Sequence, residues 1–332
     1  MFSSINQQLS KRKVIMKTNR ITTRKISLAL LSLSLLVASV TLPMNMNNHR
    51  AIPLAYAQST NAAMLSALAA NDNSNIASNA DASKIAITNT TTSSASNTTE
   101  GLEIKRGVNY FDSSSGYLAY PSAATTGKKL PAVIMIHENK GLNDYIKSMA
   151  NTLAREGYVV LAVDLFRGQV VQTNQQAQPL TSFARSNPTT TISNLQAAVN
   201  YVSSLPFVDN SKIASIGWCF GGGQSLQLAL HSQQHPLVAT ILYYGTPLVT
   251  DKQQLSKIKW PVLGIFGDKD QAIPLSNIQQ FKAALDSIGI PNEIHIYKGI
   301  GHAFANPSGA NYAPNETVDA WQKTLAFLKK YT

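Results

Sequence analysis

From residue 101 onward, short apolar runs alternate with stretches that have helical periodicity. The apolar runs are nearly continuous and rich in β-branched residues, a pattern that predicts strands buried on both faces. Predicted strands cover residues 130–136, 158–163, 213–217, 238–244, 262–266 and 293–297. Predicted helices cover residues 146–154, 191–204, 224–231, 275–288 and 317–330. Repeated β-α units predict an α/β fold, with a mainly parallel central sheet and helices on both faces.

Residues 164–188 interrupt this alternation with a long, polar, Gln-rich segment directly after a predicted strand. Open α/β sheets bind ligands at the carboxyl ends of their strands. We therefore interpret the segment as a loop that covers the substrate, in preference to a plain surface excursion.

The N-terminus has a different pattern. An apolar run of 15 residues, 26–40, follows a cluster of basic residues, and Ala55-Tyr56-Ala57 offers a small-x-small cleavage site. Residues 1–57 are therefore predicted to be a cleaved secretory signal, with an uncleaved anchor or a buried helix as alternatives. The first two of these place the rest of the chain outside the cytoplasm.

Residues 58–100 are dominated by Ser, Thr, Asn and Ala and contain no aromatic residue. Such a segment buries too little apolar surface to offset its ordering entropy, which predicts a disordered linker. Residues 101–332 then form the predicted catalytic domain.

The charge follows the same division. The 332 residues have a formal charge of +11, of which +8 lies in residues 1–57, where no acidic residue occurs. The remainder is nearly neutral, so the basic balance does not indicate a nucleic-acid partner. A single cysteine excludes a disulfide framework and a Cys-rich zinc site.

That cysteine lies in Gly217-Trp218-Cys219-Phe220-Gly221, between a predicted strand and a predicted helix. The pattern is that of a nucleophile elbow with Cys in place of Ser, where the sharp turn requires small residues two positions before and after the nucleophile. A helix N-terminus favours the thiolate, and the Phe220 amide is a candidate oxyanion donor. A buried, inert cysteine in a Gly-rich turn is the alternative.

Candidate partners follow in the order acid, then histidine. Asp268 and Asp270 lie after the strand predicted at 262–266, and we prefer Asp270, with Asp268 as the alternative. His302 lies in a glycine-bounded loop after the strand predicted at 293–297. His302 would accept the thiol proton, and the acid would orient its imidazole.

A fourth segment, His137-Glu138-Asn139-Lys140-Gly141-Leu142, directly follows the strand predicted at 130–136. This loop normally supplies the second oxyanion donor, for which the Asn139 amide is the candidate. Glu138 is expected either to be a satisfied structural acid or to contact the nucleophile, because a buried carboxylate is costly unless paired.

Four motifs in this order resemble the dienelactone hydrolase (carboxymethylenebutenolidase) family. They are His137 to Leu142, Asp164-Leu165-Phe166-Arg167, Gly217 to Gly222, and Gly301-His302-Ala303-Phe304-Ala305. The resemblance implies an α/β-hydrolase with a Cys219, Asp270 and His302 triad. It also implies that Glu138 interacts with the resting thiol until substrate displaces it.

In two places the chain departs from the pattern that this resemblance implies. Family members acting on dienelactone hold its carboxylate with two arginines, whereas here Arg167 comes one place early and Asn306 stands at the second position. A neutral amide lacks the charge-assisted contact of a guanidinium, so dienelactone itself is not the expected substrate. Arg167 and Asn306 remain the candidate substrate-binding residues, and a surface arginine in a loop is the alternative for Arg167.

The sequence thus predicts an exported hydrolase that cleaves a lactone or carboxylic ester through a cysteinyl acyl-enzyme. It implies no metal and no organic cofactor, and its expected partner is a small ester or lactone. Membrane contact is expected only if the N-terminal segment stays uncleaved, and the sequence does not indicate an oligomeric state. The alternatives are a non-catalytic, surface-tethered binding protein and a peptidase or acyltransferase using the same triad.

Overall fold

The computed structural model describes residues 101–332. Predictions for the signal segment and the linker concern residues 1–100 and lie outside the described residues. The described strands are β1 (Leu102–Phe111), β2 (Ser114–Pro121), β3 (Leu130–Ile136), β4 (Val159–Val163), β5 (Val208–Trp218), β6 (Ala239–Tyr243), β7 (Val262–Gly267) and β8 (Asn292–Tyr297). The described α-helices are α1 (Asp144–Arg155), α2 (Asn174–Ser186), α3 (Pro188–Ser204), α4 (Phe220–Leu230), α5 (Lys252–Leu255), α6 (Leu275–Ser287) and α7 (Pro314–Tyr331).

These strands form one eight-stranded sheet in the order β1-β2-β4-β3-β5-β6-β7-β8. Strands β3 to β8 are parallel, while β1 pairs antiparallel with β2 and β2 pairs antiparallel with β4. The predicted mainly parallel α/β fold is therefore confirmed. Every residue of β4, β6 and β7 is buried, as expected for strands covered by helices on both faces.

The first hairpin was not among the predicted elements. In β1 the buried residues Leu102 and Val108 are separated by exposed ones, whereas residues 116–120 of β2 are all buried. The two strands turn at Asp112, whose φ of 40° lies in the left-handed region that Asp tolerates better than most residues. Without a long apolar run, β1 gives only a weak strand signal.

The segment expected as a long loop contains helix α2, so that expectation is wrong in its secondary structure. Thr173 caps the helix by accepting from the backbone of Gln176, and the Gln176 side chain accepts from the Thr173 amide. This is a capping box, and its Thr-x-x-Gln signature was readable in the sequence. Helix α4 begins at Phe220, four residues before the predicted start. The prediction missed this first turn because its three glycines have low intrinsic helix propensity.

Parallel strands place their carboxyl ends at one edge of the sheet. The loops after β3, β5, β7 and β8 carry Asn139, Cys219, Asp270 and His302, respectively. The topology therefore brings residues that are far apart in sequence to one edge. Within residues 101–332, none of the helices has the length and apolar character needed to cross a bilayer.

Candidate active site

Cys219 occupies the turn between β5 and α4 with φ of 53° and ψ of −117°. Such a conformation costs a non-glycine residue about 1–3 kcal/mol, so the surrounding structure must hold it. The Cys219 amide donates to the Tyr243 carbonyl at 3.0 Å, and the Cys219 carbonyl accepts from Gly223 at 3.2 Å. These bonds hold the turn at which Cys219 lines the cavity.

Glycine is required on both sides of Cys219 by backbone contact. A Cβ atom on Gly217 would lie 2.1 Å from the Gly221 carbonyl oxygen. A Cβ atom on Gly221 would lie 2.3 Å from the carbonyl oxygen of His137 and 2.4 Å from that of Ile136. The elbow therefore packs directly against the loop that follows β3.

The structure brings the three predicted triad residues together. Cys219 Sγ lies 3.1 Å from His302 Nε2, and His302 Nδ1 lies 2.7 Å from Asp270 Oδ2. Asp270 is buried, and its Oδ1 accepts hydrogen bonds from the amides of Ala272 and Ile273. Because both carboxylate oxygens are engaged, Asp270 holds the imidazole in one orientation.

Asp268, the alternative acid, has a different place. Its Oδ1 accepts from the Gly299 amide at 2.6 Å, and its own amide donates to the Tyr297 carbonyl. Asp268 thus ties the loop after β7 to the loop that carries His302. The geometry places Asp270, and not Asp268, against the imidazole.

The surroundings of His302 favour its charged form. Burial lowers the pKa of His302, but the hydrogen bonds to Asp270 and Cys219 and the charges of those groups outweigh burial and raise it to about 10. The Tyr244 ring packs edge-on against the imidazole at 5.2 Å. At neutral pH both ring nitrogens are then hydrogen-bond donors.

Glu138 lies behind the triad and is buried. Asn306 Nδ2 donates to Glu138 Oε2 at 2.5 Å, and the Tyr244 hydroxyl donates to Oε1 at 3.4 Å. Burial raises the pKa of Glu138, although the bond from Asn306 and the charge of His302 oppose this effect. Among the described residues the thiol has its hydrogen bond with His302 and none with Glu138, which differs from the contact implied by the family resemblance.

Asn306 was expected to contact the substrate, and the structure corrects this expectation. The side chain is buried, its amide nitrogen binds Glu138, and its oxygen accepts from both the amide and the hydroxyl of Ser308. The carboxamide is therefore engaged at both ends, and Asn306 is not among the residues that line the cavity above Cys219.

Arg167 also departs from its expected role. Its side chain is half exposed and forms a long ion pair, 3.8 Å, with Asp112 in the β1–β2 turn. It does not line the cavity that contains Cys219. The preceding Phe166 instead packs inward against Phe220 and His137.

A cavity of about 400 Å³ opens above Cys219. The elbow contributes Cys219 and Phe220, and the loop after β3 contributes Asn139, so both predicted oxyanion residues border the thiol. All the other lining residues belong to α2: Asn174, Gln175, Gln178, Thr181 and Arg185. The expected covering of the site by residues 164–188 therefore takes the form of a helical wall.

Two residues of the site were missed from the sequence. Arg185 is the arginine of the cavity, and its helix could have been found from the capping box at Thr173. Tyr244 has φ of 37° and directly follows β6, so its position at the carboxyl end of a strand was the available signal. No pattern in the sequence indicates that its hydroxyl reaches Glu138.

His137 fixes the loop that carries Glu138 and Asn139. The Leu165 amide donates to His137 Nε2 at 3.1 Å, so Nδ1 carries the proton and donates to the Glu138 carbonyl at 2.6 Å. Burial lowers the pKa of His137, which keeps this ring neutral. Residues 101–332 contain no cluster of three or more His, Cys, Asp or Glu side chains suited to a metal ion.

Comparisons with a family model and with individual relatives point to the same family. Residues 115–332 match the model of the dienelactone hydrolase family. A Saccharolobus solfataricus protein provisionally named a carboxymethylenebutenolidase is 30% identical over 261 residues, covering 67% of this chain and 97% of its own. A Synechocystis protein with the same provisional name is 29% identical over 231 residues, covering 63% of this chain and 88% of its own.

Solved structures show the same likeness. A Klebsiella pneumoniae protein provisionally named a dienelactone hydrolase superposes with a TM-score of 0.59 at 25% identity, covering 69% of this chain and 98% of its own. The acylaminoacyl peptidase of Pyrococcus horikoshii superposes with a TM-score of 0.55 at 15% identity, covering 70% of this chain and 42% of its own. At that identity the second likeness concerns the fold alone.

Proposed function

The chain belongs to the dienelactone hydrolase family of lactone and ester hydrolases, and from this premise we propose that it acts through Cys219, His302 and Asp270 by way of a cysteinyl acyl-enzyme. The observation that carries the proposal is the unbroken chain of contacts from Sγ to Nε2 and from Nδ1 to Oδ2. A nucleophile, a base and an orienting acid within hydrogen-bond reach are the geometry that nucleophilic catalysis requires.

In the first half-reaction His302 holds the proton of the Cys219 thiol, and the thiolate attacks the carbonyl carbon of the ester. The developing oxyanion accepts hydrogen bonds from the backbone amides of Phe220 and Asn139. Phe220 is the first residue of α4, where backbone amides have no partner within the helix. As the carbon–oxygen bond breaks, His302 returns its proton to the leaving alkoxide.

In the second half-reaction His302 takes a proton from water, and the resulting hydroxide attacks the thioester carbonyl. The carbon–sulfur bond breaks, His302 returns the proton to Sγ, and the acid product leaves with the Cys219 thiol restored. With a lactone, the leaving alkoxide stays attached to the acyl chain, so the product is a hydroxy acid. The two half-reactions use side chains, backbone amides and water.

Glu138 has a supporting part in this proposal. Asn306 and Tyr244 hold its carboxyl group, while the thiol is already on His302. An imidazolium that donates from Nε2 makes Sγ the acceptor of this hydrogen bond, so Cys219 and His302 are in contact before substrate arrives. We therefore expect attack to need no displacement of Glu138 by a substrate carboxylate.

The acyl-enzyme is tested by rapid quenching of the reaction with p-nitrophenyl acetate, followed by mass spectrometry. The expected result is an acetyl adduct on Cys219 in His302→Gln and no adduct in Cys219→Ala, with kcat/KM at least about 10³-fold below the native value in both. Native-like turnover in both variants would contradict the triad. Faster transfer to added amines than to water would favour the acyltransferase alternative.

Export is a separate proposal that rests on residues 1–57 alone. The basic cluster, the apolar run of residues 26–40 and the site at Ala55 to Ala57 support a secretory signal. Cell fractionation with N-terminal sequencing tests it, and an N-terminus at Gln58 is the expected result. A full-length chain recovered in the cytoplasm would contradict it.

A further inference from the structure

The wall that α2 presents to the cavity is unusually polar. Small-molecule sites are lined mostly by apolar side chains, with a few polar groups that fix orientation. Here α2 supplies amide, hydroxyl and guanidinium groups, and Phe220 is the one aromatic side chain of the lining. The cavity as a whole contains no acidic residue. Its polarity therefore comes mainly from neutral groups.

Several of these amides are available to a ligand. Within residues 101–332, the side chains of Gln175 and Gln178 have no hydrogen-bond partner in the protein. Asn174 uses its oxygen to accept from Asn139 Nδ2 at 3.1 Å, which leaves its two N–H groups available. Each side-chain amide carries N–H donors and a carbonyl oxygen acceptor on the same carboxamide group. A ligand group that both donates and accepts, such as a hydroxyl, complements them best.

The single cation of the wall does not outweigh this pattern. The Arg185 guanidinium lies 5.7 Å above the centre of the Phe220 ring, and its Nη2 lies 3.5 Å from the Thr246 carbonyl oxygen. Recognition of a carboxylate is strongest when a guanidinium binds it through two parallel hydrogen bonds. Of the other two candidate carboxylate contacts, Arg167 pairs with Asp112 and Asn306 with Glu138.

From these contacts we propose that the substrate is an ester or lactone of a polyhydroxylated compound, such as a sugar-acid lactone. Its hydroxyl groups bind the amides of α2, chiefly Asn174 and Gln178, while its carbonyl lies at Cys219. The proposal rests on the hydrolase function proposed above and specifies the substrate class of that site.

The kinetic test compares two six-membered lactones, D-glucono-1,5-lactone and δ-valerolactone, which differ in their hydroxyl groups. Gln178→Met and Asn174→Leu are each expected to lower, about twofold to tenfold, the ratio of kcat/KM for the hydroxylated lactone to kcat/KM for the other lactone. Gln280→Met is the matched control, because Gln280 is an exposed glutamine on α6 and does not line the cavity.

A binding test works without turnover. Cys219 is the only cysteine of the chain, so iodoacetamide reports on this site alone. D-glucitol is expected to slow the alkylation of Cys219 in the full chain, hexane-1,6-diol at equal concentration is not, and Gln178→Met is expected to weaken the protection. Protection without turnover of either lactone or of p-nitrophenyl acetate would overturn the hydrolase function and support the ligand class.

Three outcomes would overturn the inference while leaving hydrolysis intact. The first is an equal effect of the α2 variants on both lactones. The second is equal protection by glucitol and the diol, or none by either. The third is a wild-type preference for a carboxylate-bearing lactone that Arg185→Met abolishes, which would make the wall an anion site.

Discussion

The two walls of the cavity are built in opposite ways. On the elbow side, Gly217 and Gly221 bring backbone against backbone with no room for a methyl group, and Asp270 is buried. On the α2 side, four of the five lining residues are exposed, and the helix rests on a small apolar cluster of Phe166, Ala184 and Phe220 outside the main core. The proposed chemistry thus depends on close packing, whereas the proposed recognition depends on exposed side chains, where single substitutions alter little else.

A substitution in the tight wall, the closely packed elbow side of the cavity, is expected to have the largest effect. In Gly221→Ala the new methyl group meets the carbonyl oxygens of His137 and Ile136, so the first turn of α4 must move away from the loop that carries Asn139. We expect a loss of about 1–3 kcal/mol in the free energy of unfolding and about a 100-fold lower kcat/KM.

The matched control is Gly127→Ala, because a Cβ atom there has no neighbour within 4 Å. This variant is expected to unfold within about 0.5 kcal/mol of the native chain and to keep its kcat/KM. Chemical denaturation and ester kinetics measure both quantities. Similar behaviour of the two variants would mean that the elbow is not tightly constrained.

The hydrogen bonds of His302 in the tight wall predict a pH dependence of stability. The pKa of His302 is raised to about 10 from an ordinary value near 6.5, so the folded state binds more protons between these values. The contribution of His302 to the free energy of unfolding is complete below pH 6.5 and is lost as the pH rises through about 10. The free energy of unfolding is therefore expected to fall over this window, by at most about 1.4 kcal/mol per pH unit.

The variant His302→Gln isolates this contribution, because it removes the titrating ring and keeps a polar side chain. Urea denaturation from pH 6 to pH 10 should give a flatter profile for the variant than for the native chain. Parallel profiles would contradict the raised pKa of His302.

Glu138 is a buried acid in the tight wall, and its hydrogen bond from Asn306 is expected to stabilise the fold. In Asn306→Leu the carboxyl group loses its short hydrogen bond and keeps only the longer one from Tyr244. We expect a loss of about 1–3 kcal/mol in the free energy of unfolding. In a double-mutant cycle with Glu138→Gln, the two losses should not add, whereas additivity within about 0.5 kcal/mol would show that the residues are not coupled.

The smallest effects are expected from the two arginines. Arg185→Met removes the guanidinium from the cavity and its contact with Phe220, and should raise KM about twofold to tenfold while changing kcat little. Arg167→Met removes a long, half-exposed ion pair and should leave both constants unchanged. A larger KM effect at Arg167 than at Arg185 would restore the role expected from the sequence.

Much of the fold and the reactive residues could be predicted from the chain itself. Apolar runs such as those of β3 and β7 mark buried strands because both faces are covered, and the glycines around Cys219 mark the elbow because no other residue fits there. The order of Cys219, Asp270 and His302 followed from the topology. The β1–β2 hairpin and α2 were missed because their apolar patterns are short and mixed with polar residues.

What the sequence determined by itself was the parallel part of the sheet and the elbow, because these depend on local pattern and on steric limits at single positions. Only the tertiary structure decided the partners of the long polar side chains: Arg167 with Asp112, Asn306 with Glu138, and Arg185 in the cavity. The physical reason is that flexible polar groups bind whichever partner the packed backbone brings within reach, and the local sequence does not encode that proximity.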